Sequence, residues 1–227
     1  MERVRSTGSS KALRKSLFPN GFAGEVMRLI SESWQVFKLP MKVGLEEPIT
    51  ALFADLLVKE YERLGLPWYI FPEIPITDKV TGEQEGRTDL NFFHRNVPGQ
   101  SKFFTVECKR LHVSPPSGFK SLVGEYFKEG LQRFVTERYS VAHSCGGMLG
   151  YVLDNDVETA FKHINKKFLS EPPELLLRPD YGWRSPSGVM PHEKFSGDSA
   201  HLRKISGDLI IHHLLVGIPR GSTRKSP

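Results

Sequence analysis

Cysteine is scarce in this 227-residue chain: Cys108 and Cys145 are its only two. Two thiols exclude a disulfide framework and a structural zinc site, and they fit a reducing, cytoplasmic setting. Long apolar runs are absent, which excludes a helical membrane span and membrane partners. The N-terminal stretch MERVRSTGSSKALRKS is polar and basic with no apolar core, which argues against a secretory signal. Internal repeats and low-complexity tracts are missing. So are GxxxxGK[ST], GxGxxG and spaced zinc-ligand patterns, which leaves nucleotide hydrolysis and dinucleotide binding without support.

What is present is an ordinary globular composition, 39% hydrophobic and 25% charged, which can fill one core. The net charge of +5 is unevenly placed. Residues 1–20 carry +4 through Arg3, Arg5, Lys11, Arg14 and Lys15 against Glu2, and residues 219–227 carry +3 through Arg220, Arg224 and Lys225. Removing both ends leaves the body, 21–218, at −2. The expected organisation is a flexible basic arm over 1–20, one domain over 21–218 and a basic tail over 219–227. Such ends either keep the protein soluble or contact phosphate, and the specificity of the body must come from elsewhere.

Apolar residues at 3- and 4-residue steps predict helices over 22–38 and 48–64, the second stopped by Gly65. WYIFPEIPI (68–76) reads as an extended segment, which Pro72 and Pro75 push to a sheet edge. GRTDLNFF (86–93) and KFFTVECKRL (102–111) read as a hairpin. A long helix is expected from Gly118 to Tyr139, a strand over 146–153, a helix over 154–168 capped by Asn155, and a last strand over 207–218. Residues 171–200, rich in Pro, Gly and Ser, read as a long loop. A hairpin followed by helical crossovers implies an α/β fold with a mixed central sheet of about five strands flanked by helices.

The hairpin carries the chemistry. Strand alternation puts Glu107 and Lys109 on one face and Val106 and Cys108 on the other. If the hairpin turns about Pro98, residues whose numbers sum to about 196 lie opposite, which pairs Asp89 with Glu107 at a Cβ separation of roughly 4.5–5.5 Å. Two adjacent carboxylates repel and need a cation between them. Hard oxygen ligands at this density suit Mg²⁺, with Mn²⁺ as a substitute. A divalent ion beside a lysine has the parts for phosphodiester hydrolysis.

Asp89, seventeen intervening residues and then Glu107-Cys108-Lys109 at the end of an apolar strand resemble the PD-(D/E)xK nuclease superfamily, over roughly residues 45–153. Thr88 stands where its motif has proline. The resemblance implies a restriction-endonuclease-like fold and a nuclease, more in keeping with DNA than RNA, in bacterial restriction or anti-phage defence, as a homodimer or with a partner protein. It implies that Asp89, Glu107 and the Cys108 carbonyl ligate the metal and that Lys109 serves the attacking water. A preceding helix often adds an acid. Projected backwards, Glu46 falls about 60° from Ile49 and Glu47 about 160° away, which favours Glu46 and leaves Glu47 as an alternative or a cap. Glu60 also projects onto the apolar face and ranks third. A non-catalytic nucleic-acid-binding or assembly subunit is the competing reading.

Further candidates for nucleic-acid contact are His201 and Arg203, which alternate with Ser199, and Gln132 and Arg133 at the polar margin of the long helix. His212 and His213 are neighbours on a strand and face opposite ways, so they cannot share one metal.

Overall fold

The computed structural model describes residues 21–40, 45–77, 81–96, 103–114, 117–139 and 144–218. The basic arm, the basic tail and the turn about Pro98 lie outside the described residues. The first helix, α1 (Phe22–Val36), buries Val26, Met27, Ile30 and Trp34. The second, α2 (Glu46–Leu64), ends at Gly65, whose left-handed φ of 63° suits a residue without Cβ. Strands β1 (Trp68–Thr77), β2 (Gln84–His94) and β3 (Phe104–Leu111) follow as an antiparallel meander.

The expected long helix is shorter and irregular. It runs through Val123–Glu125, a π-helical stretch at Tyr126–Leu131 and an α-helical end at Gln132–Val135, together called α3. Strand β4 (Cys145–Val152) leads to α4 (Val157–Leu169). Asp156 caps α4 by accepting from Thr159 N–H, whereas Asn155 takes a positive φ of 64° just before it.

The expected loop over 171–200 is a correction. It holds a 3₁₀ turn (Pro173–Leu175), the short strand β5 (Trp183–Arg184) and the start of β6 (Ser196–Arg203). With β7 (Gly207–Gly217) these complete a mixed sheet of seven strands rather than about five, in the order β1-β2-β3-β4-β7-β6-β5. Strands β3, β4 and β7 run parallel, and both flanks are antiparallel. β6 escapes a sequence reading because its inward residues are small and polar. Ser196, Asp198 and Ser199 are buried and satisfied by one another's neighbours: Asp198 accepts from Ser187 Oγ (2.5 Å) and Gly188 N–H (2.7 Å) and pairs with His212 Nδ1 (2.8 Å).

Helices cover both faces of the sheet. On one face α1 and α2 bury Phe22, Ile30, Ile49, Phe53 and Leu57 against Leu90, Phe92, Val106, Cys108 and Leu149. On the other, α3 and α4 bury Tyr126, Leu131, Phe134, Ile164 and Phe168 against Leu111, Met148, Ile211 and Leu215. The alternation expected for β3 holds. Val106 and Cys108 enter the α1/α2 core, and Glu107 and Lys109 turn to the face that α3 covers. No helix among the described residues is long and apolar enough to cross a membrane.

Candidate active site

The β2–β3 ladder pairs Leu90 with Val106, Asn91 with Thr105 and Phe92 with Phe104, each summing to 196. Beyond Leu90 and Val106 the two strands separate, and β3 continues beside β4 alone. That fork leaves backbone N–H groups of β3 without ladder partners, and carboxylates replace them. Asp89 Oδ2 accepts from Cys108 N–H at 2.6 Å, and Glu46 Oε2 accepts from Arg110 N–H at 2.9 Å. Glu46 comes from the first turn of α2, so the helical start at Glu46, two residues before Pro48, is what delivers it. Glu47, one residue on, is exposed. Glu60 lies near the other end of α2, bound to Arg63 at 2.7 Å.

Lys109 is the hub of the fork. Its Nζ lies 2.7 Å from Glu46 Oε1, 2.8 Å from Glu107 Oε1 and 4.0 Å from Asp89 Oδ2, and it donates to the Cys108 carbonyl at 2.9 Å. Glu107 is completely buried. Its Oε1 also accepts from Arg133 Nη1 at 3.0 Å, and Arg133 Nη1 donates to Tyr139 Oη at 2.6 Å. Tyr139 in turn donates to the Arg87 carbonyl at 3.2 Å. Arg133 and Tyr139 are therefore part of the carboxylate cluster. Arg133 lies at the margin of the apolar stripe, as its periodicity indicates, with its side chain 26% exposed; the Glu107 partner across the sheet is what periodicity alone does not name.

Gly130 lies where α3 crosses Lys109. A Cβ there would stand 2.6 Å from Met148 Cε and 3.2 Å from Lys109 Cγ. Gly130→Ala is expected to cost at most about 1 kcal/mol, since the flexible end of Met148 can shift and alanine favours the helix over glycine by about as much as the tighter packing on Lys109 costs. Thermal denaturation reads that loss, and an activity loss beyond it would report displacement of the Lys109 stem.

The electrostatics follow from burial. About a quarter of the Asp89 side chain (24%) reaches solvent, and the rest is enclosed by the fork. Burial, then repulsion from Glu107, pushes Asp89 up to about 8 against the attraction of Lys109 and the bond from Cys108 N–H. Burial also raises Glu107, opposed chiefly by Lys109. Burial alone would pull Lys109 down, but Glu107, Asp89 and Glu46 outweigh it and hold the ammonium charged. Three carboxylates thus face two firm cations, Lys109 and Arg133.

The other phosphate candidates lie elsewhere. His201 is fully buried, its Nε2 2.7 Å from Ser199 Oγ and its Nδ1 2.6 Å from the Leu175 carbonyl. Burial lowers it to about 4, which keeps it neutral. Arg203 is buried too, and it adds to the Ser206 and Ile205 N–H bonds that, against burial, hold the Glu137 carboxyl low. Neither meets a surface that a phosphate could reach. Alternation placed them correctly on one face, but that face is interior. Gln132 is half-buried on α3. His212 and His213 do face opposite ways: His212 meets Asp198, and His213 meets Tyr126 Oη (2.8 Å) and Ser199 Oγ (2.8 Å).

A divalent ion can be tested against this donor set. Among the described residues no three His, Cys, Asp or Glu side chains stand ready around one point for a metal. The reason is visible: the carboxylates converge on Lys109 Nζ. The donors are nonetheless all hard oxygens, and Glu107 Oε2 is buried with no hydrogen-bond partner among the described residues. A buried carboxylate oxygen left bare calls for a water or an ion. The residues fit a divalent cation in chemistry, with the ammonium in its place. No family model, no curated protein and no solved structure matches the chain.

Proposed function

We propose that the chain is a metal-dependent phosphodiester hydrolase, a nuclease of the PD-(D/E)xK kind with a restriction-endonuclease-like sheet, acting on DNA in preference to RNA. One observation carries the reading. At the β2–β3 fork, Lys109 Nζ touches Glu46, Glu107 and the Cys108 carbonyl and lies 4.0 Å from Asp89. The four oxygen donors of the sequence motif and its helix thus gather around one ammonium, Asp89 at the longest reach.

Asp89, Glu107 and the Cys108 carbonyl would hold Mg²⁺ or Mn²⁺, with Glu46 beside them. A bound divalent ion supplies charge neutralisation at a phosphoryl oxygen and a more acidic water. The remaining work belongs to the chain. Arg133, itself bonded to Tyr139, holds Glu107 Oε1 together with Lys109, which leaves Oε2 as the oxygen without a partner among the described residues. Asp89 and Glu46 are 24% and 28% exposed, which gives substrate access from solvent. Lys109, once freed from the carboxylates, orients the attacking water and stabilises charge on the five-coordinate phosphorus.

The test is cleavage of plasmid, linear DNA and RNA with Mg²⁺, with Mn²⁺ and with EDTA. Metal-dependent cleavage is expected, reduced by Glu46→Gln and unchanged by Glu47→Gln. Equal inactivity of wild type and Lys109→Ala on all substrates would sink the reading. A second reading draws on the same cluster: Lys109 already neutralises the carboxylates, as a purely structural ion cluster would. A non-catalytic nucleic-acid-binding subunit of this kind would bind DNA in a salt-dependent way, indifferent to Asp89, Glu107 and Lys109.

A further inference from the structure

We propose that an aromatic shelf beside the carboxylate fork binds unpaired nucleobases by stacking, so that the strand to be cut is presented single-stranded; this rests on the nuclease reading above and specifies its substrate. Trp68 and Ile70 of β1, Leu90 and Phe92 of β2 and Phe104 and Val106 of β3 all enter the α1/α2 core. Alternation therefore sends Tyr69, Phe71, Phe93 and Phe103 to the opposite face, the one that carries Glu107 and Lys109. On that face α3 and α4 lie over β3, β4, β6 and β7. Over β1 and β2 the rings are left open: Tyr69 is 45% and Phe71 50% exposed. Their neighbours form a chain of tilted and edge-on contacts. Tyr69–Phe71 centroids are 6.4 Å apart, Phe71–Phe93 5.4 Å and Phe93–Phe103 5.0 Å.

Three observations favour bases as the occupant. First, the shelf adjoins the fork along β2 and β3. Asn91 and Thr105 lie between the rings and the carboxylates; both are buried, bond to each other at 3.2 Å and tie the two ends together, Asn91 Nδ2 donating to the Phe71 carbonyl at 3.1 Å. Phe93 is four residues from Asp89, about 13 Å along the strand. That spans about four stacked nucleotides at a rise of about 3.4 Å each. Second, the Arg95 guanidinium sits 4.8 Å from the centre of the Tyr69 ring. A cation against a ring offers charge for a phosphate and a plane for a base. Third, β1 is an edge that resists addition of a strand from another protein. Pro72 and Pro75 lack N–H donors, and Glu73 takes a positive φ of 54°. Arg87, the other nearby cation, is already paired with Glu73 at 2.8 Å. Affinity from the shelf should therefore persist in salt better than phosphate contacts do.

The test is fluorescence anisotropy in EDTA, where cleavage is off. The probes are a labelled 12-nucleotide single strand, the matching duplex and a 12-mer with abasic interior positions. The proteins are wild type, Tyr69→Ala, Phe71→Ala and the double variant, each checked for an unchanged melting temperature. Wild type is expected to prefer the single strand to the duplex and to lose about tenfold or more on the abasic strand. Each ring removed should weaken single-strand binding about fivefold or more. Equal affinity for based and abasic strands, or wild-type binding by the double variant, would overturn the shelf. So would sedimentation showing that the rings hold two copies of the chain together while base binding is unchanged. Mg²⁺-dependent cleavage is scored separately. Ring-dependent binding without cleavage by wild type fails the nuclease reading alone, and cleavage with ring-independent binding fails the shelf alone.

Discussion

Lys109→Met is expected to destabilise the metal-free protein severely and to cut cleavage by orders of magnitude. The ammonium neutralises Glu107, which is fully buried, and also binds Glu46 and the Cys108 carbonyl. Methionine keeps the length of the stem and its packing under Gly130 but removes the charge. Breaking a buried ion pair from one side costs about 3–5 kcal/mol, because the other charge stays behind. For a chain of this size about 2–4 °C of melting temperature follows each kcal/mol, so a fall of roughly 6–20 °C is expected. Arg133 still holds Glu107 Oε1, which puts the result toward the lower end. Two conditions should recover stability: acid, which protonates the carboxylates, and a divalent ion, which takes over the neutralisation. Cleavage should fall about 10²–10⁴-fold if Lys109 also handles the water's proton. A melting temperature equal to wild type in EDTA would mean that the ammonium does not hold the cluster.

The parts of this site that sequence made legible are those governed by short-range rules. Strand alternation put Glu107 and Lys109 on one face, and the sum rule for the hairpin matches three ladder pairs. Helical projection separated Glu46 from Glu47 across one residue, and only Glu46 turns into the fork. The two signals are independent, one from a period of two and one from a period of 3.6. What stayed hidden depends on distant partners. β6 has no apolar alternation, because its buried Asp198 and Ser199 are satisfied by His212, Ser187, His201 and His213. A polar inward face looks like a loop until its partners are known. Arg133 sits at the expected margin of its helix but its partner Glu107 lies on a distant strand, and Tyr139 has no local signature at all. The seven-strand count follows from the same β6 omission, together with the two-residue β5.

Asp89 should make the metal-free protein less stable as pH rises, and should make metal binding tighter. Its folded value is raised to about 8, first by burial and then by Glu107, while an unfolded aspartate titrates near 3.8. Between those values the folded state holds a proton that the unfolded state has released. Stability therefore falls as pH climbs through about 4 to 8, by the linkage sign for a group that binds more protons when folded. Asp89 and Glu107 are close enough to titrate as a coupled pair, and Lys109, Glu46 and Arg133 share their field. Metal binding needs the carboxylate, so one proton leaves as the ion enters. Apparent Mn²⁺ affinity should then rise about tenfold per pH unit up to about 8 and level off above it. Asp89→Asn copies the neutral form. In EDTA it should keep or exceed wild-type stability at pH 8 and lose much of the slope between pH 5 and 8. With Mn²⁺ it should lose at least about 10–100-fold in affinity and cleavage, the range found even for groups one shell beyond a metal. Denaturant titrations at pH 5, 6.5 and 8, paired with calorimetric Mn²⁺ titrations in buffers of different ionisation enthalpy, read both halves. An identical slope in wild type and Asp89→Asn, with no proton released on Mn²⁺ binding, would show that Asp89 is already ionised in the fork and that burial does not govern it.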